Sequence, residues 1–333
     1  MDKNRFTPDR RRVIAAGAGA LGAAAFARTG LAQTPYPNKP ITLICSSAPG
    51  GTTDLAARML SDPLGKALGQ TVVVENRAGA SGVIAAVAVK RAEPDGYTLL
   101  MQYSGYHVIT PNVQTTPAQW QASDFQPIAN VLSAPQLVVV REGLPVKTMA
   151  ELIAYAKANP GKLSYASSGL GSLQHATGAM LEQQAGIQMT HVPYKGTGPA
   201  LQDLLGAQVD LTFGTPPPFM PQIASGKLRA LAVTGKARLP ILPDVPTAAQ
   251  AGLPHLDATS WFAVYAPAKT PKAVVDRLTS EIAKITSNAD FKQKATSLGA
   301  ESDYMDPVKL GAYGTTELAR WAEVVKAANI KGE

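Results

Sequence analysis

The chain has 333 residues, 45% of them hydrophobic and 17% charged, which is an ordinary globular composition with the length of about two domains. Its single cysteine, Cys45, excludes an intramolecular disulfide and any metal site built on paired thiolates. The formal charge of +7 does not point to nucleic acid: residues 1–32 hold six of the 31 basic and two of the 24 acidic residues, so that segment alone carries +4 and leaves 25 bases against 22 acids.

Residues 1–32 read as an export signal. A basic start is followed by a small, apolar, uncharged run from Val13 to Ala27 and by Gly30-Leu31-Ala32, a small-x-small cleavage pattern. The run is too short and too rich in Ala and Gly to span a membrane. Arg10-Arg11-Arg12 before Val13 and Ile14 resembles a twin-arginine signal, although Asp9 stands where Ser or Thr is preferred, so the ordinary secretory route stays open. Cleavage is expected near Ala32, with release into the periplasm.

Strand and helix patterns alternate from there. ITLIC (41–45) is a strand, and Cys45 at its end reads as a small buried hydrophobe rather than a nucleophile. Leu55, Met59, Leu60, Leu64 and Leu68 follow at helical spacing, with Pro63 marking a kink or a second helix begun at Ser61 or Asp62. TVVVEN (71–76) is a strand, 82–92 a helix of small residues, and 95–102 a strand after an Asp-Gly turn. This βαβαβ order predicts parallel strands with helices on both faces. The pattern restarts with a strand at 136–140. A helix at 148–161 follows, with Thr148 as cap and Glu151 at capping-box spacing. Strands at 162–167, 188–194, 208–214 and 228–234 then alternate with helices at 172–186, 198–207 and 216–226. After a Pro-rich link (240–254) come a strand at 260–267 and two amphipathic helices, 271–288 and 307–329.

Two strand-to-helix turns stand out: Ser46–Asp54 and ASSGLGSLQHATG (166–178). Each puts Gly with Ser or Thr at a helix start, where unpaired N–H groups and the helix dipole suit an anion. Gly50 and Gly51 allow close backbone approach, and Thr52 and Thr53 add hydroxyls. Neither turn is a nucleotide loop: the first lacks the P-loop Lys and the second lacks the third Gly of a dinucleotide fingerprint. One such turn can be a plain helix cap; two predict helix N-termini facing one crevice from two domains. Asp54 would repel an anion, so capping or ordering a water suits it better than direct contact. His107, His175, His191 and His255 have no metal spacing, and no Gly-x-Ser-x-Gly elbow occurs. A Ser172–His175 pair lies at helical spacing without an evident orienting acid, so a structural His175 that orders its loop is the expectation.

YPNKPITLI (36–44), APGGTTDLAAR (48–58), VVVENRAGASG (72–82), PDGYTLL (94–100), HVPYKGTGPALQDLLGAQVDL (191–211), GKLRALAVT (226–234), LPDVPTAAQAGLP (242–254) and APAKTP (266–271) fall in the order and spacing of one family. Over residues 36–330 the chain resembles the periplasmic solute receptors of tripartite tricarboxylate transporters, the Bug proteins. The resemblance implies a two-domain α/β periplasmic-binding-protein fold of the Venus-flytrap kind. Each domain would be a mainly parallel sheet flanked by helices, and the two would close on a small organic acid. It also implies that two loops and ordered waters hold the ligand carboxylate. That places Ser47, Ala48, Pro49, Gly51, Thr52, Thr53 and Asp54 at the site from one side, and Ser167, Ser168, Gly171, Ser172 and His175 from the other. Further loops would add Ser104 and Thr215. Where relatives carry Pro and an aromatic before the first turn, this chain has Ser46 and Ser47; where they carry Glu in PTAAQAG it has Gln250. The serines predict a roomier, more polar pocket for a bulky or aromatic acid, with Tyr103, Tyr106, Phe213, Phe219 or Trp261 as a stacking face.

The reading is thus a non-enzymatic monomeric receptor with no cofactor. Domain one would be 36–135 plus 259–333, domain two 136–258, with hinge crossings near Pro135 and Ser260. Its partners would be a small-molecule carboxylate and the membrane subunits of a transporter, with no nucleic acid. The alternatives are ligand presentation to a membrane sensor kinase and a secreted hydrolase or isomerase using Ser172 and His175.

Overall fold

In the computed structural model, which describes residues 36–113 and 118–331, two five-stranded sheets share the chain from Lys39 onward. The expected export signal lies outside the described residues. Among those described, no helix is long and apolar enough to cross a membrane.

The first sheet begins with β1 (Ile41–Cys45), α1 (Thr52–Leu68), β2 (Val72–Asn76), α2 (Val83–Lys90) and β3 (Thr98–Tyr103). β1 lies between β2 and β3 and pairs parallel with both, the arrangement the βαβαβ pattern predicts. Ile41, Leu43, Ile44 and Cys45 are at most 1% exposed because helices cover both faces of a central strand. α1 runs unbroken through Pro63. Its buried stripe of Met59, Leu60, Leu64 and Leu68 holds the helix together across the lost backbone hydrogen bond.

The short helices α3 (Ser104–Val108) and α4 (Thr110–Val113) lead to β4 (Phe125–Pro135), none of which has a legible period. β4 has register shifts against its partner and carries Pro127, Asn130 and Ser133, which break the alternation that identifies a strand.

The second sheet comprises β5 (Leu137–Arg141), α5 (Met149–Ala158), β6 (Ser164–Ser167), α6 (Leu173–Ala185), β7 (Thr190–Pro193), α7 (Thr197–Leu205), β8 (Leu211–Gly214), α8 (Met220–Ala224) and β9 (Leu228–Val233). The expected Thr148 cap forms: its hydroxyl accepts from Glu151 N–H at 3.1 Å, and the Glu151 carboxylate accepts from Lys147 N–H. β5 divides two cores by alternation. Val138 and Val140 pack with Leu152, Tyr165 and Leu181, while Leu137 and Val139 pack with Leu201, Leu204 and Phe219.

β10 (Thr259–Pro267) returns to the first sheet, giving strand orders β2-β1-β3-β10-β4 and β7-β6-β8-β5-β9. Four strands of each sheet run in one direction and one runs against them: β10 in the first sheet and β5 in the second, the strands on which the chain enters each sheet from the other, pair antiparallel with both neighbours. α9 (Lys272–Ser287), α10 (Ala289–Ser297) and α11 (Pro307–Ala327) complete the chain, with α11 packed against β4.

The two passages between the sheets lie side by side. Thr259 is in register with Pro135, Gln136 N–H donates to Ala258 O at 3.2 Å and to Thr234 Oγ1 at 2.9 Å, and Thr234 N–H returns a bond to Gln136 O at 2.9 Å.

Candidate functional site

β1 ends in the Ser46–Gly51 turn, and α1 starts at Thr52 with Gly51 as N-cap and no side-chain cap. Its first-turn N–H groups therefore keep their capacity to bind a guest. On the other sheet, α7 starts at Thr197 after Gly196, again without a side-chain cap. The two uncapped ends meet. A Cβ on Gly51 would stand 3.7 Å from Thr197 Cβ, and one on Gly198 would stand 2.3 Å from the Pro49 carbonyl oxygen, so Gly198 is what allows the approach.

A cleft with an empty volume of about 270 Å³, its open mouth included, is lined by Ser47, Gly51, Thr52, Thr53, Tyr103, Gln136, Ser168, Gln174, Thr197, Thr215 and Phe262. These residues offer hydroxyls, amides, backbone and two aromatic rings, and none carries a formal charge. Bonds cross between the segments of the two sheets. Thr52 Oγ1 and Thr215 Oγ1 are 2.6 Å apart, Tyr103 Oη donates to Gln174 Oε1 at 2.9 Å, and Tyr106 Oη donates to Ser168 O at 2.5 Å. Gln174 organises the second-sheet wall: its Oε1 also accepts from Ser168 Oγ at 2.7 Å, and its Nε2 donates to Thr197 Oγ1 at 3.2 Å. Burial pushes the Tyr106 phenol up to about 12 and Tyr103 well above its usual range, so both donate as neutral phenols.

Six of the residues expected at the site line this cleft: Ser47, Gly51, Thr52, Thr53, Ser168 and Thr215. The others lie beside or behind it. Ala48 and Pro49 abut Gly196 and Gly198. Asp54 is 6% exposed and points away from the lining. It accepts from Gly50 N–H at 3.3 Å, from Arg58 Nε at 3.1 Å and from Asn76 Nδ2 at 2.9 Å, which fixes the shape of the turn. Ser104 Oγ accepts from Trp261 N–H at 3.2 Å. Ser167 Oγ meets His191 Nε2 at 2.6 Å.

Ser172 caps α6 by accepting from His175 N–H at 3.3 Å, while the His175 ring accepts from Gly171 N–H at 3.2 Å. That ring stacks on His191 with centroids 3.8 Å apart and planes 10° from parallel. Burial lowers His175 to about 4; burial and then the neighbouring His175 lower His191 to about 3. Both rings are therefore neutral at pH 7, and the Ser172 hydroxyl is engaged with backbone. Cys45 is buried, and burial raises its thiol to about 12, which suits packing rather than nucleophilic work. No group of three or more metal-ligating side chains occurs among the described residues.

Of the two serines that stand where relatives carry Pro and an aromatic, Ser46 is buried outside the lining, and Ser47, within it, donates from Oγ to Thr53 Oγ1 at 3.2 Å. Of the expected stacking rings only Tyr103 reaches the cleft, where it stacks on Phe262 with centroids 5.8 Å apart. Phe213 and Phe219 belong to the second-sheet cores, and Trp261 packs against His107 and Tyr313. Sequence reasoning missed Gln136, Gln174, Thr197 and Phe262. For Thr197 a signal was present: Gly196-Thr197-Gly198 before a helix repeats the chemistry of Gly50 to Thr53.

A family model described as "Tripartite tricarboxylate transporter family receptor" matches residues 56–330. Protein BugT of Bordetella pertussis is 35% identical over 297 residues, which cover 89% of this chain and 91% of BugT. Among solved structures, Rpa4515 of R. palustris with adipate has a TM-score of 0.86 and 36% identity, covering 89% of this chain and 99% of that one. MatC from Rhodopseudomonas palustris with bound malate has a TM-score of 0.83 and 33% identity, covering 87% and 100%.

Proposed function

The chain belongs to the tripartite tricarboxylate transporter receptor family, and from that membership we propose that it binds a small organic acid in the cleft between its sheets and delivers it to a membrane permease. The observation that carries this reading is the meeting of two uncapped helix N-termini, α1 and α7, from opposite sheets in a cleft of hydroxyls and amides. A carboxylate there gains N–H and O–H donors and the positive ends of two helix dipoles, with no buried cation to neutralise beforehand. The related structures carrying adipate and malate support the ligand class, and the cleft's lining of hydroxyls and amides supplies donors for a carboxylate.

In this reading the lobes are 36–135 with 259–333, and 136–258, hinged where Gln136 and Thr259 lie side by side. Ser47, Gly51, Thr52, Thr53, Ser168 and Thr215 contact the ligand, joined by Gln136, Gln174 and Thr197. Asp54, Ser172 and His175 hold the loops in shape. The protein works as an exported monomer, and closure over the acid is the state its membrane partner reads.

The test is thermal melting of the mature protein against mono-, di- and tricarboxylates, aliphatic and aromatic. An acid at about 100 times its dissociation constant should add about 2.7 kcal/mol of stability. Silence across the whole panel overturns the proposal.

A further inference from the structure

Behind the cleft, one face of the first sheet gathers polar atoms that the site does not use. Trp261, Ala263 and Tyr265 alternate onto that face of β10, and Gln102 of β3, directly opposite Ala263, shares it. Helix α3 lies against the same face. Its His107 ring stacks on Tyr265 with centroids 4.3 Å apart and meets Trp261 near edge-on at 5.8 Å; the Trp120 ring stands 5.9 Å from His107. These five side chains are at most 5% exposed. Yet Gln102 Oε1 and Nε2, His107 Nδ1, Trp120 Nε1, Trp261 Nε1 and Tyr265 Oη have no hydrogen-bond partner in the protein.

Folded proteins pair nearly all such buried groups with protein or with ordered water. The chemistry here calls for a mediator that both gives and takes hydrogen bonds. The two indoles can only donate. The Gln102 carbonyl can only accept, the Tyr265 hydroxyl can do both, and the neutral His107 ring has one accepting nitrogen. Stacking aligns the His107 and Tyr265 ring faces, so their in-plane polar atoms run past each other instead of meeting. Flipping the Gln102 amide changes nothing, because both of its ends are unpaired.

We propose that this cluster is a built internal water site, in which about two ordered waters bridge the six polar atoms at the usual three bonds per buried water. Two indole N–H groups donate into the site, and the waters donate on to Gln102, His107 and Tyr265. The site fastens α3 to β10, alongside the bond that Trp261 N–H makes to Ser104 Oγ.

Oxygen-17 magnetic relaxation dispersion on the mature protein counts its long-lived waters. Tyr265→Phe and Trp120→Phe should each lower that count by about one, with an unchanged circular dichroism spectrum, and Tyr265→Phe should lower the Tm. A dry cluster gives the same water count in all three proteins. It also leaves the Tm of Tyr265→Phe unchanged or raised, because an unpaired hydroxyl has been removed; either result overturns the proposal. If a variant does not fold, a high-resolution crystal structure of the unaltered protein decides. Water density within bonding distance of both indole nitrogens upholds the site, and side chains paired directly with one another overturn it.

Discussion

His107, His175 and His191 show how position, rather than residue type, sets chemistry. Burial is the leading cause that lowers all three, to about 4, 4 and 3 respectively, with His175 adding to the effect on His191. An unfolded histidine titrates near 6.5, so below that pH the unfolded chain takes up protons that the folded chain refuses. The stability these neutral rings allow is complete above about pH 6.5 and is lost as the pH falls toward 4. Between pH 6.5 and 5, above the carboxylate range, the melting temperature should therefore decline. His191→Phe, which keeps a ring on His175 and removes one titration, should make that decline shallower, and an identical slope in the variant refutes the assignment. Serine tells a similar story. Ser172 and Ser168 lie in one turn, yet one caps a helix and the other lines the cleft, a difference set by which way the turn faces.

At the scale of elements, the site is made by helix starts. α6 is capped by its own Ser172, so its first turn is partly satisfied from within, whereas α1 and α7 begin at glycines and keep their N–H groups for a guest. Gly198 is the position where α7 admits the first-sheet turn, since any Cβ would collide with Pro49. We expect Gly198→Ala to push the turn and α7 apart and weaken acid binding by about 10-fold or more, the effect of misplacing donors by a fraction of their bonding distance. Calorimetric titration measures it, with denaturant unfolding as the control that the protein still folds. The Thr148 cap on α5 and the strands β1, β5 and β9 were legible because each follows from neighbours in the chain. β4, α3 and α4 were not, because they are buried on several sides and their residues answer to packing rather than to one period.

For the whole molecule, the hydrogen bonds that cross the cleft at its lining join neutral groups, while an Arg320 guanidinium donates to Asp257 O at 2.8 Å beside the passage between the sheets. Thr52 to Thr215, Tyr103 to Gln174 and Tyr106 to Ser168 are each a neutral hydrogen bond of modest net strength. A clamp held this way can reopen, and the ligand supplies much of what holds it shut. Thr215→Val keeps the side-chain shape and removes one crossing bond. It should weaken acid binding about 2- to 10-fold, the equivalent of about 0.5–1.5 kcal/mol, while leaving the unfolding of the unliganded protein nearly unchanged. Titration calorimetry beside urea unfolding separates these effects. A variant that binds as tightly as the parent would show that the Thr52–Thr215 bond plays no part in holding the acid.

The sequence by itself determined the α/β class, the family, the Gly50–Thr53 and Ser167–Ser172 turns, and the absence of any disulfide within the chain. These depend on local periodicity, turn chemistry and composition, all written within short spans. Only the tertiary structure decided which polar groups share the cleft. Gln136, Gln174 and Thr197 come from separate elements, and Thr52 meets Thr215 across 163 positions of chain. It also decided that the two neighbouring serines part company, Ser46 buried outside the cleft lining and Ser47 within it, bonded to Thr53. Contacts between distant segments are set by how two sheets pack, and no local pattern encodes that distance.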